Sequence, residues 1–463
     1  MQLDRRALLG AGLTAPLLAA VPARAALRLP RRSVGVAAPF DMPSVAVPDF
    51  SASRRFPITD FGADPGDQAK TGAAIARAIA AANAAGSGVV VVPAGVWPTG
   101  KVHLKSNVNL HLAKGATLLF SSNPGDYLPA VPTSWEGFEC YNYSPLVYAY
   151  DCENVAISGE GRLKARLDVW QLWYARPKPH LDALVRLDDM AARGVPVAER
   201  QMAVGEAHLR PHFVQFNRCR NVLVEDISIE DSPFWVLHPF LCRDVVIRRV
   251  KVRAHGHNND GVDPEMSENV LIEDCVFDQG DDAIAIKSGS NQDGWRLGVP
   301  SRNIVMRGCR VKNGHQLCAI GSELSAGIEN VFVTDCHFER GEVAAPTPIN
   351  NILFIKTNER RGGFVRNVFV SNVTATKVAG GVLSIDTDVL YQWRNLVPTR
   401  ERRLTPIENI LVDNVCVDEA KFLCSIKGQA ELPVRSVALK GVKVGRFSGT
   451  PVLTEHVEEF SIR

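Results

Sequence analysis

The sequence predicts an all-β protein of the β-solenoid class, a parallel β-helix with one capping helix near its N-terminus. Three observations lead to this prediction. A short strand-like segment recurs along the chain, its copies lie at similar intervals, and no helix-like segment separates most of them. Repeats of 20 to 50 residues that contain only strands are typical of stacked coils. An open sandwich would need hairpin turns, and two-residue Asn-Gly turns do not recur.

Each repeated segment begins with a polar residue and continues with β-branched residues that alternate with polar ones, which is the period of a strand. The starts are 23 residues apart from 221 to 244, 25 from 244 to 269 and 27 from 303 to 330. Longer intervals, such as 42 residues from 367 to 409, predict loops inserted between strands. The copies start at Asn154, Asn221, Asp244, Asn269, Asn303, Asn330, Asn367 and Asn409, with a weaker one at Ser436.

The chain of 463 residues is predicted to have three parts. Residues 1–25 resemble a cleaved twin-arginine-type signal peptide, with Arg5 and Arg6 before a short apolar stretch and an Ala23–Ala25 cleavage site. Residues 26–55 form a Pro-rich segment, and residues 56–463 form the β-helix, with a long, partly helical insertion around 165–210. We therefore expect a periplasmic or secreted protein.

An Ala- and Ile-rich stretch precedes the repeats, from Thr71 to Ala85, and Gly86 follows it. This composition favours a helix. Because the open end of a solenoid needs an atypical cap, we expect this helix to cover the first coil.

Composition excludes some classes of function. The formal net charge is +2, which argues against a protein that binds nucleic acid through bulk positive charge. No stretch after the N-terminus has the roughly 20 apolar residues that span a bilayer, so no stable membrane association is expected. The ten cysteines argue against a disulfide framework, because several recur at a fixed repeat phase. Cys275, Cys309 and Cys336 each lie six residues after a repeat start, which predicts a buried column of thiols.

Polar turns follow the repeated strand in three consecutive coils. These turns contain Asp260, then Asp281 with Asp282, then His315, and Lys356 comes from a strand of the next coil. Stacked coils lie about 4.8 Å apart, so these side chains should gather within about 10 Å. Any one of these turns alone is most simply a turn. Three carboxylates at one phase are electrostatically unfavourable, so structure alone does not explain them.

Crowded carboxylates shift apart in pKa, so that one holds a proton while its neighbours ionise. Glycoside hydrolysis requires this combination of an acid and a base. Calcium binding is the competing interpretation, and His315 and Lys356 argue against it. The same cluster is also compatible with a non-catalytic polysaccharide-binding solenoid and, less well, with a calcium-dependent lyase.

Four motifs in this order resemble those of the polygalacturonases, glycoside hydrolase family 28, and in particular bacterial exo-type members. They are Asn258–Gly261, Gly280–Asp282, Gly314–His315 with Ile320–Ser322, and Ile355–Lys356. The similarity extends from about residue 58 to beyond residue 367. The resemblance implies a right-handed parallel β-helix that hydrolyses α-linked galacturonic acid in pectic poly- or oligosaccharides with inversion, without a cofactor or metal.

The resemblance also implies roles for individual residues. Asp281 matches the general acid, Asp260 and Asp282 match the pair that activates water, and His315 matches the histidine that supports the acid. The implied substrate contacts are Asn258 and Lys356, with Lys356 facing a galacturonate carboxylate. Beside these motifs, Trp235 and His238 are candidates for stacking on a sugar, with a buried aromatic residue and its hydrogen-bonded neighbour as the alternative.

Two departures from the family pattern leave the sugar specificity open. The family's Arg-Ile-Lys is here Phe354-Ile355-Lys356, so one expected carboxylate anchor is missing, and Arg360 or Arg361 could replace it. The family's Gly-His-Gly is here Gly314-His315-Gln316. A different pectic linkage, such as rhamnogalacturonan or a substituted galacturonide, is therefore a second possible substrate. The long insertion favours exo action, because added loops can close one end of a groove.

Overall fold

The computed structural model describes residues 29–339 and 349–463, and it has the predicted right-handed parallel β-helix. The predicted signal peptide lies outside these residues. Three parallel sheets run the length of the helix, because each coil contributes up to three short strands that pair with those of the next coil. Side chains that point inward are mostly Val, Ile and Leu, and they fill one continuous core.

The first sheet carries the predicted repeat starts. Its strands are Arg55–Pro57, Gly88–Val92, Val108–Leu112, Glu153–Gly159, Arg220–Glu225, Arg243–Arg248, Glu268–Glu273, Ser301–Arg307, Ile328–Thr334, Val365–Lys377, Ile407–Ala420, Val434–Lys440 and Val457–Ile462.

The second sheet follows it around the coil. Its strands are Gly95–Thr99, Ala116–Phe120, Arg162–Ala165, Ser228–Glu230, Lys251–Ala254, Val276–Gln279, Arg310–Asn313, His337–Phe338, the second halves of Val365–Lys377 and Ile407–Ala420, and Lys443–Phe447.

The third sheet positions the polar cluster. Its strands are Val102–His103, Val147–Tyr150, Val214–Asn217, Leu237–Phe240, Ile284–Ile286, Gln316–Gly321, Asn351–Lys356, Gly381–Asp386, Phe422–Lys427 and Val452–Glu455. Val262 joins its two halves, since it bridges both Leu237 and Ile284.

The polar residues that start the repeats stack into a ladder at one corner of the coil. Each has a positive φ near 57°, a left-handed conformation that Asn and Asp tolerate better than other side chains. Their amides bond along the column: Asn303 donates to Asn269 at 3.1 Å and accepts from Asn330 at 2.9 Å. The other rungs are Asn154 to Asn107, Asn221 to Asn154, Asn269 to Asp244, Asn367 to Asn330 and Asn409 to Asn367.

The N-terminal cap is the helix Gln68–Ala84, slightly earlier than the predicted bounds. Asp67 starts it, because its carboxylate accepts from the Lys70 N–H at 3.0 Å. Its Ile75 and Ile79 are buried on the core of the first coils, which closes the apolar end of the solenoid. A further hairpin, Arg31–Val34 with Val45–Pro48, lies in the predicted Pro-rich segment and packs on the outer face of the first sheet.

Three segments outside the coils surround the polar cluster, and we call them together the rim. They are the hairpin Val131–Trp135 with Phe138–Asn142, the insertion of residues 166–213, and the loop of residues 387–406. The insertion contains the helices Trp170–Trp173 and Lys178–Ala192, and the loop contains the helix Trp393–Leu396. The helix Asn291–Leu297 follows a strand of the third sheet. The remaining helical elements are the 3-10 turns Ile58–Phe61, Pro124–Tyr127 and Val197–Glu199.

The ten cysteines are all free thiols, and nine of them are buried. Cys275, Cys309 and Cys336 lie in the same core, at equivalent positions of successive coils. Among the described residues, no helix has the length and apolar character needed to cross a membrane.

Candidate active site

Backbone hydrogen bonds place the predicted polar turns side by side. The Gly261 N–H donates to the Asp282 carbonyl at 3.0 Å, and the His315 N–H donates to the Asp281 carbonyl at 2.9 Å. Gly261 is required here, because a Cβ at this position would lie 2.5 Å from the Ala283 carbonyl oxygen. Asp260, Asp281 with Asp282, and His315 therefore occupy one surface on three consecutive coils.

Asp281 and His315 form a hydrogen-bonded pair, with Asp281 Oδ1 3.0 Å from His315 Nδ1. Burial acts to raise the pKa of Asp281, but the hydrogen bond and charge of His315 outweigh it and hold this pKa at about 2. Burial acts to lower the pKa of His315, but Asp281 outweighs it and raises this pKa to about 9. The pair therefore holds one proton at neutral pH, and that proton resides on the imidazole.

Asp282 is buried, and its Oδ2 lies 3.0 Å from Lys356 Nζ. Its other oxygen, Oδ1, is buried with no hydrogen-bond partner among the described residues. Burial raises the pKa of Asp282, although Lys356 opposes this shift. One oxygen of Asp282 is thus neutralised, whereas the other is free to accept a hydrogen bond.

Asp260 is also buried, and a second lysine, Lys287, lies 4.0 Å from its Oδ2. Lys287 also approaches Asp263 at 3.7 Å and Glu323 at 3.2 Å, so one buried cation serves three carboxylates. Burial and the neighbouring Asp281 raise the pKa of Asp260 well above its usual range, more than Lys287 lowers it. Lys287 holds the pKa of Glu323 at about 2 against the effect of burial.

Sequence reasoning missed Lys287, although a signal was present. In the third sheet, Lys287 follows the strand Ile284–Ile286 as Lys356 follows Ile355, and the register puts both lysines in one column with Gly321 between them. A buried strand that ends in lysine in two nearby coils is therefore the pattern that predicts both cations.

The other predicted contact residues differ in their placement. Asn258 lines the cleft, and its Oδ1 accepts from Arg210 Nη2 at 2.9 Å. Trp235 also lines the cleft, but it is only 2% exposed, with Lys287 Nζ 4.6 Å from its ring centre. Little of its ring is open to a sugar, and its stacking role stays a prediction.

The prediction that His238 stacks on a sugar is wrong. His238 has no exposed surface, and its ring bonds to Glu265 at 2.8 Å and to Gln215 at 3.0 Å. Burial lowers the pKa of His238 well below its usual range, so the ring is neutral. It is a buried histidine beneath the cleft, because the whole strand Leu237–Phe240 is covered and the His212 ring lies against His238 with ring centres 4.3 Å apart.

Neither arginine suggested as a replacement for the missing anchor lines the cleft. Arg361 is buried and donates to the Ser322 carbonyl at 2.8 Å and to Asn291 at 2.7 Å. Arg360 donates to Thr399 and to the Trp393 carbonyl. Phe354 does line the cleft, so this wall carries an aromatic ring where the family pattern has a cation.

The cleft has a volume of about 380 Å³, within the range of small-molecule sites. The rim contributes a wall that sequence reasoning did not resolve, because its parts come from distant segments. Phe138 and Trp393 meet with ring centres 6.3 Å apart, and Arg400 pairs with Asp188 at 3.4 Å. The rim supplies Glu136, Arg176, Tyr391, Gln392 and Trp393 to the cleft lining.

The cluster also has features of a metal site. Asp281, Asp282 and His315 each offer a ligand atom, and these atoms lie within 4.8 Å of one another. However, Lys356 Nζ lies 3.0 Å from Asp282 Oδ2, so the ligand set already contains a cation that would repel a metal ion. The donor set therefore fits proton transfer better than metal binding.

A parallel β-helix with this cluster of carboxylates, imidazole and lysine has the groups that a glycoside hydrolase requires. The family model of glycosyl hydrolases family 28 matches residues 200–458, which is more than half of the chain. The protein belongs to this family.

Its relatives include an exopolygalacturonase from Thermotoga maritima, a hyperthermoactive enzyme of known crystal structure. The two chains are 36% identical, with a TM-score of 0.81 over 91% of this chain and 92% of that one. The exo-poly-alpha-D-galacturonosidase of Dickeya chrysanthemi is 28% identical over 59% of this chain and 48% of its own. A probable polygalacturonase of Vitis vinifera is 26% identical over 62% and 53%. The chain thus spans about half the length of these two relatives.

Proposed function

We propose that the protein is an inverting exo-polygalacturonase, which removes galacturonic acid units from the ends of pectic chains or oligosaccharides. The observation that carries this proposal is the cluster on three consecutive coils, in which an Asp281–His315 pair faces the buried carboxylates Asp260 and Asp282. The relatives from Thermotoga maritima and Dickeya chrysanthemi support the same substrate class.

In the proposed mechanism, Asp281 protonates the leaving glycosidic oxygen. Its low pKa in the free protein does not oppose this role, because the required proton is held next to it on His315. When a sugar covers the pair, loss of water disfavours the two opposite charges, and the proton moves to the carboxylate. His315 thus stores the proton that Asp281 delivers.

Asp260 and Asp282 activate the attacking water. The unpartnered Oδ1 atoms of both residues are buried acceptors, and a water between them would donate one hydrogen bond to each. Because the pKa of both groups is raised, their carboxylates are stronger bases than exposed ones. Lys356 and Lys287 oppose this rise in the pKa of the pair.

Exo action is supported by the rim. An internal bond of a long chain needs a groove that is open at both ends, whereas here the hairpin, the insertion and the 387–406 loop contact one another beside the cluster. The buried pair Arg200–Asp293, at 2.5 Å, ties the insertion to the helix Asn291–Leu297. This buried contact makes the rim a fixed wall.

The test is the time course of products from polygalacturonic acid, followed by mass spectrometry with and without EDTA. We expect galacturonic acid or a short product from the start, no unsaturated uronide, and no effect of the chelator. Early release of mixed oligomers would exclude exo action, and a chelator-sensitive unsaturated product would indicate a lyase. If no uronic-acid glycan is cleaved, a binding solenoid is the remaining interpretation.

A second candidate is hydrolysis of a different pectic linkage, such as rhamnogalacturonan or a substituted galacturonide. The observation that favours it is Phe354, which replaces a cation in the cleft wall. Parallel assays on defined galacturonan and rhamnogalacturonan oligosaccharides separate the two. At least tenfold higher kcat/KM on the latter would reverse the assignment.

We also propose export to the periplasm or beyond. The support is the twin-arginine segment at Arg5–Arg6 with the Ala23–Ala25 cleavage site. Substitution of both arginines by lysine should retain the protein in the cytoplasm, as measured by cell fractionation. Export that continues through this substitution would contradict the proposal.

A further inference from the structure

Two ionisable side chains of the cleft lining have no ion-pair partner among the described residues. Among the residues described, Lys287 pairs with Glu323, Lys356 with Asp282, and His315 with Asp281. Within the same residues, Glu136 and Arg176 also line the cleft, yet no opposite charge lies within 4.0 Å of either side chain. Both come from the rim.

Glu136 is held at the tip of the rim hairpin. The hairpin turn is Glu136–Gly137, between the paired residues Trp135 and Phe138. Ser290 fixes this tip, since its N–H donates to the Gly137 carbonyl at 3.0 Å and its hydroxyl donates to the Glu136 carbonyl at 2.8 Å. A Cβ on Gly137 would lie 2.6 Å from Ser290 N, so the approach requires glycine. The carboxylate of Glu136 is therefore positioned at the cleft by backbone contacts.

Arg176 lies in the short connection between the two helices of the insertion, Trp170–Trp173 and Lys178–Ala192. Its backbone has a φ of 49°, and its side chain is half-buried. Arg176 therefore brings a cation to the cleft from the insertion. On the wall formed by the coils, Phe354 occupies the position where the family pattern has a cation.

We propose that Glu136 and Arg176 form the subsite for the terminal sugar, in which Arg176 binds the sugar carboxylate and Glu136 accepts hydrogen bonds from sugar hydroxyls. This inference rests on the proposed exo function. A terminal sugar has a free hydroxyl where an internal sugar has a glycosidic bond, so an acceptor at the rim distinguishes a chain end. Guanidinium matches a carboxylate with two parallel hydrogen bonds.

Glu136 also bears on the charge of the ligand. A charged glutamate would repel a uronate, but burial, with the nearby Glu323, raises the pKa of Glu136 to about 7 although Arg176 lowers it. Below this pH the side chain is largely neutral. An anionic sugar is therefore tolerated beside it, and the carbonyl oxygen of the acid still accepts a hydrogen bond.

The Arg176 half of the subsite is tested with trigalacturonate and with the same trimer methyl-esterified at its non-reducing end. We expect the wild type to prefer the free acid, and R176A to lose about 10- to 100-fold in kcat/KM on the acid but little on the ester. R176K should be intermediate. R186A, which removes an exposed arginine of the same insertion outside the cleft, should leave the preference unchanged.

The Glu136 half is tested with a trimer whose non-reducing end is a 4,5-unsaturated uronide, which lacks the terminal hydroxyl at C4. Wild type should prefer the saturated trimer, whereas E136A should cleave both at similar kcat/KM. E136Q keeps the shape and one acceptor, so it should retain part of the preference. E206Q, an exposed position of the insertion, is the matched control.

The subsite is rejected if R176A and E136A keep the wild-type substrate ratios while the wild type cleaves galacturonides. Failure of the proposed function is a separate result, in which the wild type cleaves no galacturonide. Calorimetry with galacturonic acid and the D281N protein measures binding at the subsite without turnover. If the double variant D281N/R176A binds the sugar more weakly than D281N, the subsite is supported. Equal binding by the two proteins overturns it.

Discussion

Two corners of the same coil use the same stacking in opposite ways. At the repeat starts, amides such as Asn269, Asn303 and Asn330 each donate to one neighbour and accept from the other. At the cleft, carboxylates stack instead, and Asp260, Asp263 and Asp282 keep oxygens that are buried without a hydrogen-bond partner in the described chain. Amides can satisfy one another in a column, whereas ionised carboxylates only accept.

The difference separates stability from reactivity. The amide ladder is a repeated, satisfied contact whose loss affects the coil and not the chemistry. In the carboxylate corner, Lys287, Lys356 and His315 supply the opposing charge, and the unpartnered oxygens remain acceptors for water or substrate. Each of the following experiments changes one corner and should leave the other intact.

The largest expected effect is that of D281N on turnover. Loss of a general acid should lower kcat by about 10²- to 10⁴-fold. An aryl α-galacturonide with an acidic phenol needs little protonation of its leaving group, so D281N should recover most of its rate on that substrate. D260N should not recover, because it lacks part of the water-activating pair. Initial rates on both substrates make the comparison.

If D260N recovers its rate on the aryl substrate and D281N does not, Asp260 is the general acid and Asp281 belongs to the water-activating pair. This alternative is tested because the raised pKa of Asp260 favours its protonated form, which is the form that a general acid needs. Thermal unfolding serves as the control for D260N, which should not reduce stability because removing a negative charge beside Asp281 relieves repulsion. D281N, in contrast, should lose the stabilisation that Asp281 and His315 give each other.

The second prediction concerns the buried cation Lys287. K287M leaves Asp260, Asp263 and Glu323 without their shared counter-charge, and removal of one partner of a buried ion pair costs about 3–5 kcal/mol. We expect this loss in urea unfolding. The double variant K287M/E323Q should recover part of the stability. If the effects of K287M and E323Q on the free energy of unfolding simply add, Lys287 does not act through Glu323.

The third prediction is a pH dependence of the Asp281–His315 pair. The raised pKa of His315 means that its stabilising effect is complete below 6.5 and disappears as the pH rises through about 9. The lowered pKa of Asp281 means that its contribution is complete above 3.8 and disappears as the pH falls through about 2. The wild type should therefore unfold at a higher temperature than H315Q at pH 5 and at a similar one at pH 10.

The exposed His456 provides the control, because H456Q should show no such pH-dependent difference. A gap between wild type and H315Q that is constant from pH 5 to pH 10 would show that the histidine acts through packing rather than charge.

The smallest expected effect lies in the ladder. N303A removes two amide contacts and places alanine at a φ of 57°, so we expect a loss of about 1–3 kcal/mol. N303G tolerates this φ and isolates the contribution of the amide. kcat should be unchanged in both variants. A fall in kcat would show that the two corners are coupled.

Local pattern was enough to predict the coils and the cluster, because both depend on residues at a fixed repeat phase. Asp260, Asp281, Asp282 and His315 lie together since each follows a strand that pairs with the next. The rim could not be predicted in the same way. The hairpin around Glu136 reaches the cleft only through long-range contacts, such as that with Ser290, and no periodicity encodes them.

His238 shows a different limit. An aromatic pair in the sequence does not reveal which of the two rings points outward, and the partners that decide it, Gln215 and Glu265, come from neighbouring coils. Conversely, the sequence places Lys287 at the end of a strand, where a lysine is most simply an exposed charge. Its importance comes from burial, which the sequence of one strand does not report.

The contact between Phe138 and Trp393, which completes the rim, has a consequence for how such an enzyme would encounter its polymer. In the proposed exo action, the enzyme binds productively at chain termini, so the number of termini and not the mass of polysaccharide sets the supply of sites. Its rate on a fixed weight of pectin would rise as the chains become shorter, and the viscosity of the solution would fall only slowly. Such a catalyst works best downstream of one that cuts at random.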